Sequence, residues 1–257
     1  MRIAVLLKEV PDTYSDREMN LQTGLTDRSG DVVADEVSER AVEAALRIAE
    51  AGENVEVEIL SVGPESSADS VRRGIAMGAS EAYIVSDEAL TGADVTLTAE
   101  VLAKLVEKQG YDLVIAGAES SDGGTGVITP FMAELLDWPV LTNLTELTLE
   151  GDTVRATQAS DAATAQLEAE LPAVVSVADE FADPRFPNFK GLMAAKKKEL
   201  HAITLAELGV DPDDFTHPRA IMTSIERRPE RERGEIIDGN STAAARLVDF
   251  LESKNLI

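Results

Sequence analysis

Short apolar runs alternate with longer amphipathic ones along the first half of the chain. Residues 3–7, 55–62, 82–85 and 113–116 are strand-length and rich in branched side chains, which predicts strands of a mostly parallel sheet. Between them Val37, Ala41, Ala44, Ala45 and Ile48 recur at helical spacing, as do Val95, Val101, Leu102, Leu105 and Val106, with charged residues on the other faces. That spacing predicts amphipathic helices covering the sheet. Gly63-Pro64 closes the second strand, residues 65–77 predict the next helix, and Gly52 and Gly110 stand where helices should end.

The pattern changes over residues 140–177. Residues 141–149 alternate, Glu150-Gly151-Asp152 is a turn signal, and short strand patterns continue through 171–177, predicting a β-rich continuation of the same sheet. Beyond Lys198 the apolar density falls, and Pro212, Pro218 and Pro229 punctuate a charged stretch that includes residues 226–235. This predicts an extended arm, ending in a helix over 242–254 whose Ala245, Leu247, Val248 and Leu251 cap a partner or return to the parent domain. The fold class expected is α/β, a doubly wound and mostly parallel sheet over residues 1–199 with a C-terminal arm over 200–257.

Composition narrows the function classes. The 257 residues carry 48 Asp and Glu against 23 Lys and Arg, a formal charge of −25, so nucleic acid and anionic membrane surfaces are repelled. Zero cysteine excludes disulfides, Cys-ligated metal and a thiol nucleophile. No apolar run approaches the roughly 20 residues of a membrane span, and the N-terminus enters an apolar strand directly, so the expectation is a cytoplasmic protein that is not integral to a membrane. The acidic surface suits a saline environment, and a GC-rich genome gives similar usage.

Catalysis finds little support. His201 and His217 are the only histidines, and neither stands at a metal-binding spacing. There is no Gly-x-Ser-x-Gly elbow, and carboxylates are too abundant for any pair to single itself out. The strongest small-molecule signal is the glycine-rich run Gly117-Ala118-Glu119-Ser120-Ser121-Asp122-Gly123-Gly124-Thr125-Gly126, leading into a helix over 127–136. Small residues permit close backbone approach and a helix N-terminus favours an anion. It is neither a Walker loop nor the dinucleotide fingerprint; alone, it reads as either a phosphate cradle or an ordinary βα loop.

Residues 184–198 carry Pro184-Arg185-Phe186-Pro187-Asn188-Phe189, then Leu192, Met193 and the cluster Lys196, Lys197, Lys198. The prolines disfavour regular structure across 184–187. Apolar knobs beside a positive patch read as a docking element, with a core-packed loop and solvated helix as the alternative.

This segment resembles the β subunit of electron transfer flavoprotein, and the resemblance runs along almost the whole chain. Residues 3–13, 36–47, Met77-Gly78-Ala79, 112–117, Asp137-Trp138-Pro139 and 171–176 match in order. The resemblance implies an adenine-nucleotide-binding, HUP-like fold and an electron carrier without substrate-bond chemistry of its own. It implies AMP contacts at Leu6, at Asp35, Glu36, Val37 and Ser38, at Val62, and at Ser120, Ser121, Asp122, Gly123, Gly124, Thr125, Gly126, Val127 and Ile128. It implies an α subunit that holds the redox-active FAD and is wrapped by the arm. It also implies docking of acyl-CoA or related flavoprotein dehydrogenases through Arg185, Phe186, Phe189, Leu192, Met193, Lys196, Lys197 and Lys198, with Phe189 as the apolar anchor. The acceptor implied is a membrane-linked quinone oxidoreductase, in fatty acid oxidation.

There are departures from the family pattern. The Asn-Gln-Thr side chains common in the nucleotide loop are absent, which leaves contacts to the backbone. The pattern of Asp122, Gly123, Thr125 and Pro130 is similar to that of members with a second FAD for electron bifurcation, so FAD in place of AMP is the alternative. The family's Arg-x-x-Asp-Gly-Gly segment retains Asp161 alone. The loop over 12–31, which in the family approaches the α-subunit flavin, has Thr13 where some members place an aromatic; Val37 is the other candidate contact there. From other classes, a free-standing adenine-nucleotide sensor has no need of residues 200–257, and a structural assembly factor would hold no nucleotide.

Overall fold

The computed structural model describes all residues except 16, 232, 238 and 240. Residues 1–223 and 224–257 form separate units. The first unit contains, in chain order, β1 (Arg2–Leu6), β2 (Glu9–Pro11), β3 (Val32–Ala34), α1 (Glu36–Ala51), β4 (Glu56–Val62), α2 (Ala68–Met77), β5 (Glu81–Val85), α3 (Val95–Gln109), β6 (Leu113–Gly117) and α4 (Ile128–Leu136). It continues through β7 (Val140–Glu150), β8 (Thr153–Ala159), β9 (Thr164–Glu170), β10 (Ala173–Val177), α5 (Phe189–Lys197), β11 (His201–Ile203) and α6 (Leu205–Leu208).

The main sheet has nine strands in the order β11-β5-β4-β1-β6-β10-β7-β8-β9. Pairing is parallel from β11 to β7 and antiparallel through β7, β8 and β9. β10 follows β9 in the chain yet sits between β6 and β7. A separate antiparallel pair, β2 and β3, closes the base of the loop over 12–31.

Both faces of the parallel region are covered, which is why its strands are apolar on both sides. Ile3, Val5, Ile59, Leu113 and Ile115 enter one core with α1 and α2, whereas Ala4, Leu6, Leu60, Val114 and Ala116 enter the other with α3 and α4. The helix ends follow local chemistry. Asp35 and Asp94 cap α1 and α3 by accepting amide hydrogen bonds, and Gly110 ends α3 at φ +71°, a conformation that favours glycine. The helix expected over 65–77 opens with a 3₁₀ turn at Glu65–Ser67 before α2.

The expected start of the arm at residue 200 is corrected. His201–Ile203 adds β11 to β5 at the sheet edge, Thr204 and Glu207 form a reciprocal capping box on α6, and Ile203, Leu205, Leu208 and Val210 bury in the second core. Few apolar residues are present there, but they fall where the sheet edge needs them. The second unit contains α7 (Ala243–Ser253), none of whose residues is buried. The charged stretch over 226–235 includes Glu232, which lies outside the described residues.

Candidate functional site

The carboxyl ends of β1, β4 and β6 meet the start of α1, the crevice where ligands bind in open α/β sheets. Asp35, 1% exposed, uses one carboxylate oxygen to cap α1 at the Ser38 amide (3.3 Å) and the other to accept from the Ser121 amide (3.0 Å). This ties the glycine-rich loop to the first helix. Gly117, at the end of β6, lies so close to α1 that a Cβ there would stand 3.0 Å from the Val37 backbone carbonyl carbon. Leu6, Val62 and Ile128 line the same apolar cluster beneath the crevice. Glu36 is exposed in the first turn of α1.

The loop itself is compact. The Gly124 amide donates to the Ser120 carbonyl at 2.9 Å, and Gly124 and Gly126 adopt φ of +56° and +63°, which a β-carbon would strain. Thr125, Gly126 and Val127 are exposed, and Val127 gives α4 no side-chain cap. Two hydroxyls nearby are buried without a hydrogen-bond partner, Ser121 Oγ and Thr129 Oγ1. Buried polar atoms are normally satisfied, and an uncapped helix start is short of an anion. A phosphate oxygen supplies what both lack, so these residues fit a phosphate group. Thr129 lies just beyond the residues nominated from sequence.

Three cations not singled out by sequence also converge here. Lys8 Nζ donates to Ser120 Oγ (3.1 Å) and Asp122 Oδ1 (2.7 Å), Arg28 pairs with the other Asp122 oxygen, and Arg17 donates to the Ser121 carbonyl. Burial alone would raise the Asp122 pKa; the hydrogen bond and charge of Lys8, then Ser120 and Arg28, overcome it and hold the carboxyl below its usual range.

The segment over 184–198 is anchored behind and apolar in front. Asn188 caps α5 at the Gly191 amide (2.8 Å), and Gly191 packs so tightly on α2 that a Cβ would stand 2.4 Å from the Ala76 carbonyl oxygen. Arg72 donates to the Ala195 carbonyl (2.9 Å) and the Lys198 carbonyl, securing the far end of α5. In front, Phe186 and Phe189 are 89% and 80% exposed, Leu192 and Met193 are exposed beside them, and Lys196 and Lys197 follow.

Arg185 and Lys198 are engaged differently from the expectation of free docking cations. Arg185 Nε pairs with buried Glu43 at 2.7 Å and its guanidinium also meets Glu50, which anchors the loop to α1. Lys198 Nζ pairs with Glu81 at 2.7 Å, and His201 Nε2 meets the same carboxylate at 3.1 Å. His201 also stacks on Tyr83. Neither histidine belongs to a cluster that would hold a metal, and among the described residues there is none. No helix among them is long and apolar enough to cross a membrane.

The profile of the electron transfer flavoprotein domain matches residues 23–208, a span that includes the glycine-rich loop and α5. The chain is 40% identical over 264 residues to the electron transfer flavoprotein subunit beta of Mycobacterium leprae, covering 99% of both chains. It is 39% identical over 263 residues to that of Mycobacterium tuberculosis, again covering 99% of both. It is 34% identical over 264 residues to that of Thermoanaerobacterium thermosaccharolyticum, covering 100% of both. Identity spread over the full length, rather than confined to one motif, accounts for the ordered run of matching segments, and the chain belongs to the electron transfer flavoprotein β-subunit family.

Proposed function

We propose that this chain is one half of a heterodimeric, cytoplasmic electron carrier. Its α subunit holds the FAD that accepts electrons from acyl-CoA or related flavoprotein dehydrogenases, and a membrane-linked quinone oxidoreductase takes them on. The flavin supplies the redox chemistry; this chain binds, orients and docks. The glycine-rich loop and the start of α1 hold AMP as a structural ligand. The observation that carries this reading is a pair of buried, unpartnered hydroxyls, Ser121 Oγ in the glycine-rich loop and Thr129 Oγ1 in the uncapped first turn of α4.

Docking falls to the outer surface of α5. An exposed aromatic anchor on a backbone already fixed by Gly191 and Arg72 loses little entropy on binding, and Lys196 and Lys197 raise the encounter rate with acidic partners. The unit over 224–257 is the arm that wraps the α subunit, and Leu247, Val248 and Phe250 of α7 are its exposed apolar contacts.

The test is to coexpress this chain with its α subunit and count the FAD and AMP released per purified heterodimer. One of each supports the reading. Two FAD per heterodimer overturns AMP at this site in favour of a bifurcating carrier, and failure to form a flavin-containing complex overturns the carrier role.

A further inference from the structure

Arg40, Glu43, Arg47 and Glu50 recur along α1 at spacings that place them on one face of the helix. The segment that leads into α5 is fastened along that face. Arg40 donates to the Phe181 carbonyl and pairs with Asp183 at 3.1 Å. Glu43, 4% exposed, accepts with one oxygen from both the backbone amide of Arg185 (3.1 Å) and its Nε (2.7 Å). Arg47 donates to the other oxygen at 2.8 Å, and Glu50 takes the remaining edge of the Arg185 guanidinium.

A carboxylate that grips a main-chain amide fixes the backbone as well as the side chain. Phe186 follows directly, and at Asn188 the chain is held again, where the side chain accepts from the Gly191 amide to start α5. The exposed Phe186 ring therefore stands on a short span between two fixed points. Pro184 and Pro187 stiffen that span, because each ring holds its own φ and Pro187 pushes Phe186 toward extended backbone. Phe189 is placed by other means, since it opens α5, which rests on α2 through Gly191 and Arg72. The two aromatics thus have separate supports, and that of Phe186 runs through Arg185 to Glu43.

We propose that Glu43 is a positioning residue for electron transfer: acting through Arg185, it holds Phe186 as a second, separately supported apolar contact for the donor dehydrogenase. This rests on the assignment of α5 and the segment before it as the docking surface. It gives Arg185 an inward task in place of a contact with the partner. An aromatic that is already ordered loses little entropy on capture, whereas one on a loosened span must be ordered as it binds. Loss of the Glu43 latch weakens docking and leaves the transfer step unchanged.

The test is a double-mutant cycle on the purified heterodimer, with an acyl-CoA dehydrogenase and its acyl-CoA substrate as donor and the FAD-containing heterodimer as the varied component. Glu43→Gln is expected to raise KM for the carrier about fivefold at unchanged kcat, the scale of ordering one side chain on binding. Phe186→Ala is expected to raise KM by itself and to add little in the Glu43→Gln background, because the two act as a unit. Phe189→Ala is expected to have its full effect in both backgrounds. Arg185→Gln removes the other half of the pair and is expected to give the same pattern, which keeps the test open where Glu43→Gln yields too little heterodimer. An unchanged KM in Glu43→Gln and Arg185→Gln, or a Phe186→Ala effect of equal size in both backgrounds, overturns Glu43 as a positioning residue while leaving the docking surface in place. A KM insensitive to both Phe186→Ala and Phe189→Ala in the unsubstituted background overturns the docking surface and the positioning residue together.

Discussion

The amide of Ser121 donates to the carboxylate of Asp35 at 3.0 Å, joining residues 86 positions apart in sequence. One carboxylate thereby starts α1 and fixes the glycine-rich loop against it. Asp35→Ala removes a cap and a buried hydrogen bond together, at a cost of about 2 kcal/mol and about 6 °C in Tm. Nucleotide affinity should fall with it, because the loop loses its reference point. A variant that melts like the unsubstituted chain would mean that the loop is held elsewhere.

Glu43 offers a test by pH. Burial pushes its pKa up, but Arg185 and Arg47 outweigh burial and hold it below the ordinary value. A depressed folded pKa contributes stability above the unfolded value, about 4.3, and loses it as pH falls through the folded one. The stability gap between the unsubstituted chain and Glu43→Gln should be about 2 kcal/mol near neutrality and shrink below pH ~4. Denaturant titrations at pH 7 and pH 3 that give the same gap would rule out the ion pair as its source.

Phe189 is 80% exposed, so truncating it to alanine should leave the stability within about 0.5 kcal/mol of the original. As the anchor of a transient interface it should weaken dehydrogenase docking about tenfold, seen as a raised KM for the carrier with bound nucleotide unchanged. Unaltered transfer kinetics would remove α5 as the docking element.

Gly191→Ala should weaken docking by another route. The added Cβ, 2.4 Å from the Ala76 carbonyl oxygen, pushes α5 off α2 at a cost of about 1–3 kcal/mol. Both Tm and docking should drop, whereas Phe189→Ala affects docking alone. If Gly191→Ala docked normally, the position of α5 would not matter to the partner.

Legibility in the sequence followed the range of the forces involved. β1, β5 and β6 were readable because both faces bury branched residues, and α1 and α3 because their stripes repeat at 3.6 residues. β11 was not, since three residues at a sheet edge carry no periodicity; its pairing with β5 and the burial of Ile203 reveal it. In the site, Asp35 and Ser121 were reached through the family resemblance. Lys8, Arg17 and Arg28 lie 94 to 114 positions from the loop they contact, and nothing local distinguishes them from other cations. Arg185 was named for docking by the family resemblance, and its ion pair was not legible because the partner, Glu43, sits 142 positions away.

The placement of β10 sets an order of assembly. The Ala118 amide, first of the glycine-rich loop, donates to the Val177 carbonyl at 2.8 Å, and Val177 is the last residue of β10. During synthesis the loop emerges some 60 residues before the strand that braces it, so β7, β8 and β9 must be made and left aside until β10 can slot between β6 and β7. Under the proposed function, a nucleotide that needs the braced loop binds only after the middle of the sheet has closed.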